Sequence, residues 1–275
     1  MTVEQTAILD MIRTIITSGS DGLFFIDGPS RTGKMFIENL LLNWVQGNSQ
    51  IALAVASSGI ATTLLHHGRT SHSRFHIPID IQPESVCAVP AQSGLAELLR
   101  STSLIIWDEV SSQNRYCFEA VNRTLQDLRK NDEWFGGIPV VFAGDNHITT
   151  GLINIGDFRQ CLPVIPKGSP AQILASSIVH ASFWKDVHIF KLMVNMRLLA
   201  QSERMTPPNR LKAESFAKWL LMVGEGTDNT VPLTELPIGM SMIKYYAHCL
   251  LHRPMHARRQ GHNRGSYRRN ISGSP

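Results

Sequence analysis

Two rhythms of apolar residues alternate along the chain. Short, nearly unbroken apolar runs at Gly22–Ile26, Ile51–Ala56, Leu104–Trp107, Pro139–Phe142 and Val187–Phe190 have the length and composition of buried strands. Between them, helical spacing predicts helices over Lys34–Val45, Ile60–Leu65, Leu95–Leu99, Tyr116–Leu128 and Gln172–Ser177. A further helix, Glu4–Ile16, precedes the first strand, with Ala7, Ile8, Met11, Ile12 and Ile15 on one side. Continuously apolar strands separated by helices predict an α/β fold, a parallel sheet of about five strands covered by helices on both faces. After Arg197 the pattern changes. Residues 200–210 are polar, hold the pair Pro207-Pro208 and read as a loop or linker, followed by an amphipathic helix over Ala213–Val223.

Composition narrows the class. The 275 residues are 43% hydrophobic and 17% charged, as in globular rather than disordered proteins. No run of eighteen apolar residues occurs, so no transmembrane helix is expected. Met1–Asp10 lacks the apolar stretch of a secretory signal. Cys87, Cys117, Cys161 and Cys249 form no CxxC pair, which argues for small apolar fillers over structural zinc. The net charge of +4 is unevenly placed: Lys244–Pro275 carries seven Lys/Arg and no acid, so the first 243 residues sum to −3. The basic balance therefore belongs to a poorly structured C-terminal tail, and is no argument for nucleic-acid binding by the body.

The sharpest motif is Gly28-Pro29-Ser30-Arg31-Thr32-Gly33-Lys34, set between the first strand and the helix that starts at Lys34. Glycines at both ends let backbone N–H groups turn toward a polyphosphate. The helix N-terminus attracts negative charge, and the lysine reaches the β- and γ-phosphates. Two residues depart from that pattern. Met35 stands where a Ser or Thr hydroxyl ordinarily ligates Mg²⁺, and a thioether is a poor partner for a hard cation. Arg31 makes the loop glycine-poor and less able to adopt positive φ. A second constellation, Leu104–Glu109, ends an apolar strand in Asp108 and Glu109. The first carboxylate would hold Mg²⁺ and the second would polarise the attacking water.

With these motifs in place, the chain resembles the Pif-type DNA helicases of superfamily one, particularly the copies carried by plant genomes and Helitron transposons. The likeness rests on an ordered series: Gly22–Pro29, Ile51–Ala61, Gly68–Phe75, Leu104–Glu109, Gly156–Gln160 and Asn195–Leu198. It implies a RecA-like P-loop NTPase domain over residues 1–200, then a linker and the start of a second motor region to residue 243. It also implies ATP and Mg²⁺ as cofactors, single-stranded DNA and duplex junctions as partners, and a nuclear or mitochondrial location. Family roles lie in DNA repair, recombination and telomere maintenance. By position, Gln5 corresponds to an adenine-sensing glutamine. Gly28–Lys34 and Met35 form the nucleotide loop, and Asp108 holds the metal with Glu109 beside it. Gln160 senses the γ-phosphate, and Arg197 stabilises transition-state charge. Ser57, Ser58, Gly59, Ile60, Arg69, Thr70 and His72 lie along the DNA strand.

The chain also departs from the family. Gly144-Asp145 and Gly156-Asp157 repeat one step of a motif around an extra segment, Asn146–Ile155. Either Gln160 is displaced from the γ-phosphate or the extra segment loops out. The chain is expected to stop before a second motor domain, and Lys244–Pro275 has no family counterpart. His66 and His67 read as solvent-facing. His248, His252 and His256 have helical spacing, but Pro254 breaks the helix that would align them as metal ligands. The resemblance implies an ATP-dependent DNA helicase by descent, with this chain expected to be degenerate. The alternatives are a catalytically inactive fragment that binds nucleotide or DNA, and, with least support, an unrelated P-loop enzyme such as a small-molecule kinase.

Overall fold

The computed structural model describes residues 1–28, 31–144, 163, 165, 167–196, 199–200 and 205–224, all within a compact unit that runs from Met1 to Thr227. Pro29, Ser30, Gln160, Arg197, the extra segment 146–155, Cys161, Cys249 and the basic tail lie outside the described residues.

Helix α1 (Val3–Ser18) begins in a capping box formed by Thr2 and Gln5 and ends at Gly19, whose φ of 68° suits glycine. Strand β1 (Leu23–Asp27) leads through the glycine loop into α2 (Lys34–Gly47). Next come β2 (Ile51–Ala56), the short α3 (Gly59–Thr62), β3 (Arg69–Thr70), α4 (Ser71–Phe75), α5 (Gly94–Arg100) and β4 (Thr102–Asp108). The order continues with α6 (Arg115–Arg129), β5 (Val140–Gly144), α7 (Pro170–Ala175) and β6 (Val187–Lys191). All six strands are parallel, in the order β3-β2-β4-β5-β1-β6.

The strands read as continuous apolar runs because each serves two cores. Phe25, Val55, Ile105, Trp107, Val140 and Phe142 face one layer, shared with α5 and α6. Their sequence neighbours Phe24, Ile26, Ala54, Ile106, Val141 and Ala143 face the other, shared with α1 and α2. Period two thus divides one run between both faces of the sheet. The first layer is aromatic: Trp107 stacks within 5.3 Å of Phe75 and 4.6 Å of Phe118, and Phe142 packs on Phe118, Phe135 and Phe183. Full burial of each such ring contributes about 1.5–3 kcal/mol. Cys87 and Cys117 fill the same layer, and burial pushes both thiols up to about 11, so they act as apolar fillers.

Two expectations change. The sheet has a sixth strand, β3, whose two residues are too few to show periodicity in sequence. The stretch read as a loop over residues 200–210 contains the start of a helix, Pro207–Gly224. Proline is tolerated at a helix's first turn, where its missing N–H leaves no bond unmade, so the proline pair opens this helix. Among the described residues no helix is long and apolar enough to cross a membrane.

Candidate functional site

Parallel strands bring their carboxyl ends to one edge, and in open α/β sheets that edge is where ligands collect. Here it gathers the loop after β1, the acids that end β4 and the segments after β2 and β3. Strand β5 separates β1 from β4, so the glycine loop and the acids stand about 10 Å apart, two strand spacings.

The loop is built on close contacts. A Cβ on Gly28 would lie 2.7 Å from Thr32 Oγ1 and 2.9 Å from the Leu192 carbonyl oxygen. Gly33, at φ 92°, caps α2 and leaves no room for a side chain beside the Gln5 amide. Lys34 Nζ donates to the Gly28 carbonyl, closing the loop on itself. Arg31 does adopt positive φ, 75°, contrary to the reluctance expected of a glycine-poor loop. The cost of a left-handed L-residue is about 1–2 kcal/mol, and packing holds it: Met196 N–H donates to the Arg31 carbonyl at 2.9 Å. Met35 is half-buried against the apolar layer shared with α1.

Gln5 is buried rather than displayed. Its Nε2 donates to the Thr32 carbonyl at 3.2 Å while its Oε1 accepts from Thr2 N–H at 3.0 Å. One side chain therefore joins the start of α1 to the glycine loop.

Across the edge, Asp108 is buried, and its Oδ1 accepts the Glu109 N–H at 2.8 Å. Glu109 itself sits at φ 55°, a strained non-glycine conformation of the kind that clusters at functional sites. Ser57, at the end of β2, donates its hydroxyl to the Glu109 carbonyl at 2.6 Å and pairs with Ser112 at 2.8 Å. The residue read as part of a DNA path thus braces the acidic turn. Ser58 and Thr70 cap α3 and α4 through their hydroxyls. Gly59, Ile60, Arg69 and His72 remain exposed on that rim. Partial burial lowers the His72 imidazole, and Arg74 is lowered by burial and by the neighbouring Arg69 charge. His66 and His67 are exposed, as read from sequence.

Sequence reasoning missed three residues. Gln113 accepts from Trp107 Nε1 at 3.0 Å and exchanges hydrogen bonds with Ser71, tying α4 to β4 through a buried amide. Ser71, between two residues assigned to DNA, is fully buried. The third, Glu38, lies one turn beyond Lys34 on α2. Its side chain is 0% exposed, and neither carboxylate oxygen has a hydrogen-bond partner among the described residues. Burial raises its pKa well above the ordinary carboxyl value; the Asp108 charge adds to the rise, Lys34 opposes it, and Glu109 adds further. Glu38 thus stands within electrostatic reach of Lys34, Asp108 and Glu109 at once. The signal was present: Ile37, Leu41, Leu42 and Val45 form the buried stripe of α2, and position 38 falls inside it.

The chain is similar to proteins of known name. The chain is 30% identical over 145 residues to the ATP-dependent DNA helicase Pif1 of a Psychrobacter species, covering 52% of this chain and 21% of that one. It is 25% identical over 210 residues to Pif1 of Campylobacter jejuni, covering 74% and 40%. Bacteroides Pif1, in a structure bound to single-stranded DNA, superposes with a TM-score of 0.56 at 25% identity, over 77% of this chain and 44% of that one. The chain therefore spans a fifth to two-fifths of the length of these two curated relatives. A family model for PIF1-like helicases matches residues 1–232, and the chain belongs to that family.

Proposed function

We propose that this chain is the nucleotide-binding motor domain of an ATP-dependent DNA helicase, which binds ATP at the carboxyl edge of its sheet and couples it to single-stranded DNA at a duplex junction. The observation that supports the reading is the placement of the loop that ends in Lys34 and of the acids Asp108 and Glu109 along one carboxyl edge of the sheet, two strands apart. Lys34 would leave the Gly28 carbonyl for the β- and γ-phosphates, with backbone N–H groups of the loop and the N-terminus of α2 holding the remaining charge. Gln5, already fastened to the loop, would contact the adenine. Glu109 would orient the attacking water. Gly59, Ile60, Arg69 and His72 would meet the DNA strand, and Ser57 and the Gln113–Ser71 pair would tie that rim to the acids. The likeness to Pif1 structures bound to single-stranded DNA supports this partner. Action on DNA implies a nuclear or mitochondrial location.

Mg²⁺ fits the donor chemistry on one side. Asp108 is a buried hard-oxygen ligand, whereas the Met35 thioether offers nothing useful. When bound, the cation neutralises phosphate charge as it develops. Met35 favours a second reading, a motor that binds nucleotide but turns it over slowly.

A DNA-stimulated ATPase assay on the full chain tests both. Lys34→Ala should abolish turnover, and Met35→Thr should raise it. Absence of any nucleotide binding by the unsubstituted chain would overturn the proposal.

A further inference from the structure

A carboxylate inside an apolar stripe, with both oxygens desolvated and unpartnered, is costly unless something positive or protic meets it. Among the described residues Glu38 is such a group. Its position gives it a direction as well as a cost. Helical side chains lean toward the N-terminus, so position 38 projects back over the turn that holds Lys34 and Met35. Its charge couples first to Asp108, then to Lys34 and Glu109. The same turn has lost its expected oxygen donor at Met35. One turn of α2 thus carries both a missing oxygen and a spare one.

We propose that Glu38 is an oxygen ligand of the divalent cation that accompanies bound nucleotide, replacing the hydroxyl that Met35 does not supply. Among the described residues no three His, Cys, Asp or Glu side chains already form a metal cluster. Mg²⁺ does not require one: it is ordinarily held by one or two carboxylates, substrate phosphates and water. Asp108 and Glu38 are those two carboxylates, and the phosphates of the nucleotide complete the shell. A carboxylate that has released its proton carries a full negative charge where a hydroxyl carries none, so the cation at Glu38 would bind with loss of the Glu38 proton to solvent. This inference rests on the nucleotide-binding reading above.

The test measures how much Mg²⁺ strengthens ADP binding, by titrating the full chain with ADP in saturating Mg²⁺ and in chelator. In parallel, Mn²⁺ resonance spectra of the ADP complex read the metal directly. The unsubstituted chain should bind ADP more tightly with Mg²⁺. Glu38→Leu should shrink that gain by about tenfold or more, the scale of losing a partner at a metal site, and should loosen bound Mn²⁺. Adding Met35→Thr to Glu38→Leu should restore part of both. Glu38→Gln, closer in shape, serves if the leucine variant does not fold. A Glu38→Leu chain that keeps the full Mg²⁺ gain overturns the inference, as does an unsubstituted chain whose ADP binding ignores Mg²⁺; both leave the nucleotide site standing. No restoration by Met35→Thr overturns the exchange of one ligand for the other. ADP binding absent under every condition overturns the nucleotide reading as well.

Discussion

The carboxyl edge of the sheet and the layer beneath α6 differ in the kind of polar group that they bury. Under α6, Asn122 Oδ1 accepts the Phe135 N–H at 2.6 Å, and Thr124 Oγ1 accepts the Cys87 N–H while donating to the Ala120 carbonyl. Arg129 reaches the carbonyls of Gly136, Arg100 and Thr102. At the carboxyl edge, Arg31 and Glu109 occupy left-handed conformations and Glu38 lies buried without a hydrogen-bond partner among the described residues. The layer under α6 has strain of its own, with Phe135 at φ 52° and Ser177 Oγ buried without a partner among the described residues. Its amides and hydroxyls at Asn122 and Thr124 nonetheless close on the backbone, and among the described residues it holds no desolvated carboxylate. The carboxyl edge leaves a carboxylate to be met by something that binds. The difference supports the proposed site, because unmet carboxylates persist only where the surrounding fold can carry their cost.

This contrast can be tested by substitutions on either side of it. The largest effect should come from Trp107→Ala, which empties the centre of the aromatic layer and should cost about 3–5 kcal/mol in urea unfolding; a loss below 1 kcal/mol would mean the layer is not a packed core. Glu38→Leu should act the other way and stabilise the domain by about 1–3 kcal/mol, since it removes polar atoms buried without hydrogen-bond partners among the described residues. The pH dependence follows from the raised pKa. Folded protein holds the Glu38 proton well above 4.5, where the unfolded chain has released it, so the stability from this group is present below 4.5 and is lost as pH rises. The advantage of Glu38→Leu should therefore widen from acid to neutral pH, and a constant gap across that range would mean the carboxyl is not desolvated. Asn122→Ala should cost about 1–3 kcal/mol by stranding the Phe135 N–H. Thermal melts would reveal the opposite, a neutral substitution, if solvent reaches that amide. Smallest of all, Arg31→Gly should gain less than about 1 kcal/mol, since relief of the left-handed penalty is partly offset by the entropy of glycine. A clear destabilisation would show that the Arg31 side chain makes contacts worth more than its strain.

The five longer strands, the helices around them and the parallel α/β arrangement were legible in sequence because apolar runs of strand length, spaced by helical periods, have few other solutions. The glycine loop and the Asp108-Glu109 pair were equally legible, since their chemistry fixes their spacing within one strand-turn unit. Strand β3 was not, as two residues carry no period, and Pro207-Pro208 was read as a break when tertiary context made it a helix start. The union of these local units lay beyond the sequence. Only the strand order sets the acids of β4 two places from the loop after β1, turns Ser57 from a rim residue into a brace for Glu109, and buries Glu38 among charges from two elements. Short-range patterning fixes which face of a helix is apolar, whereas the neighbours of a side chain on that face depend on packing between segments distant in the chain. A glutamate within the stripe of α2 was visible in the sequence all along; its full burial is a fact of the tertiary structure.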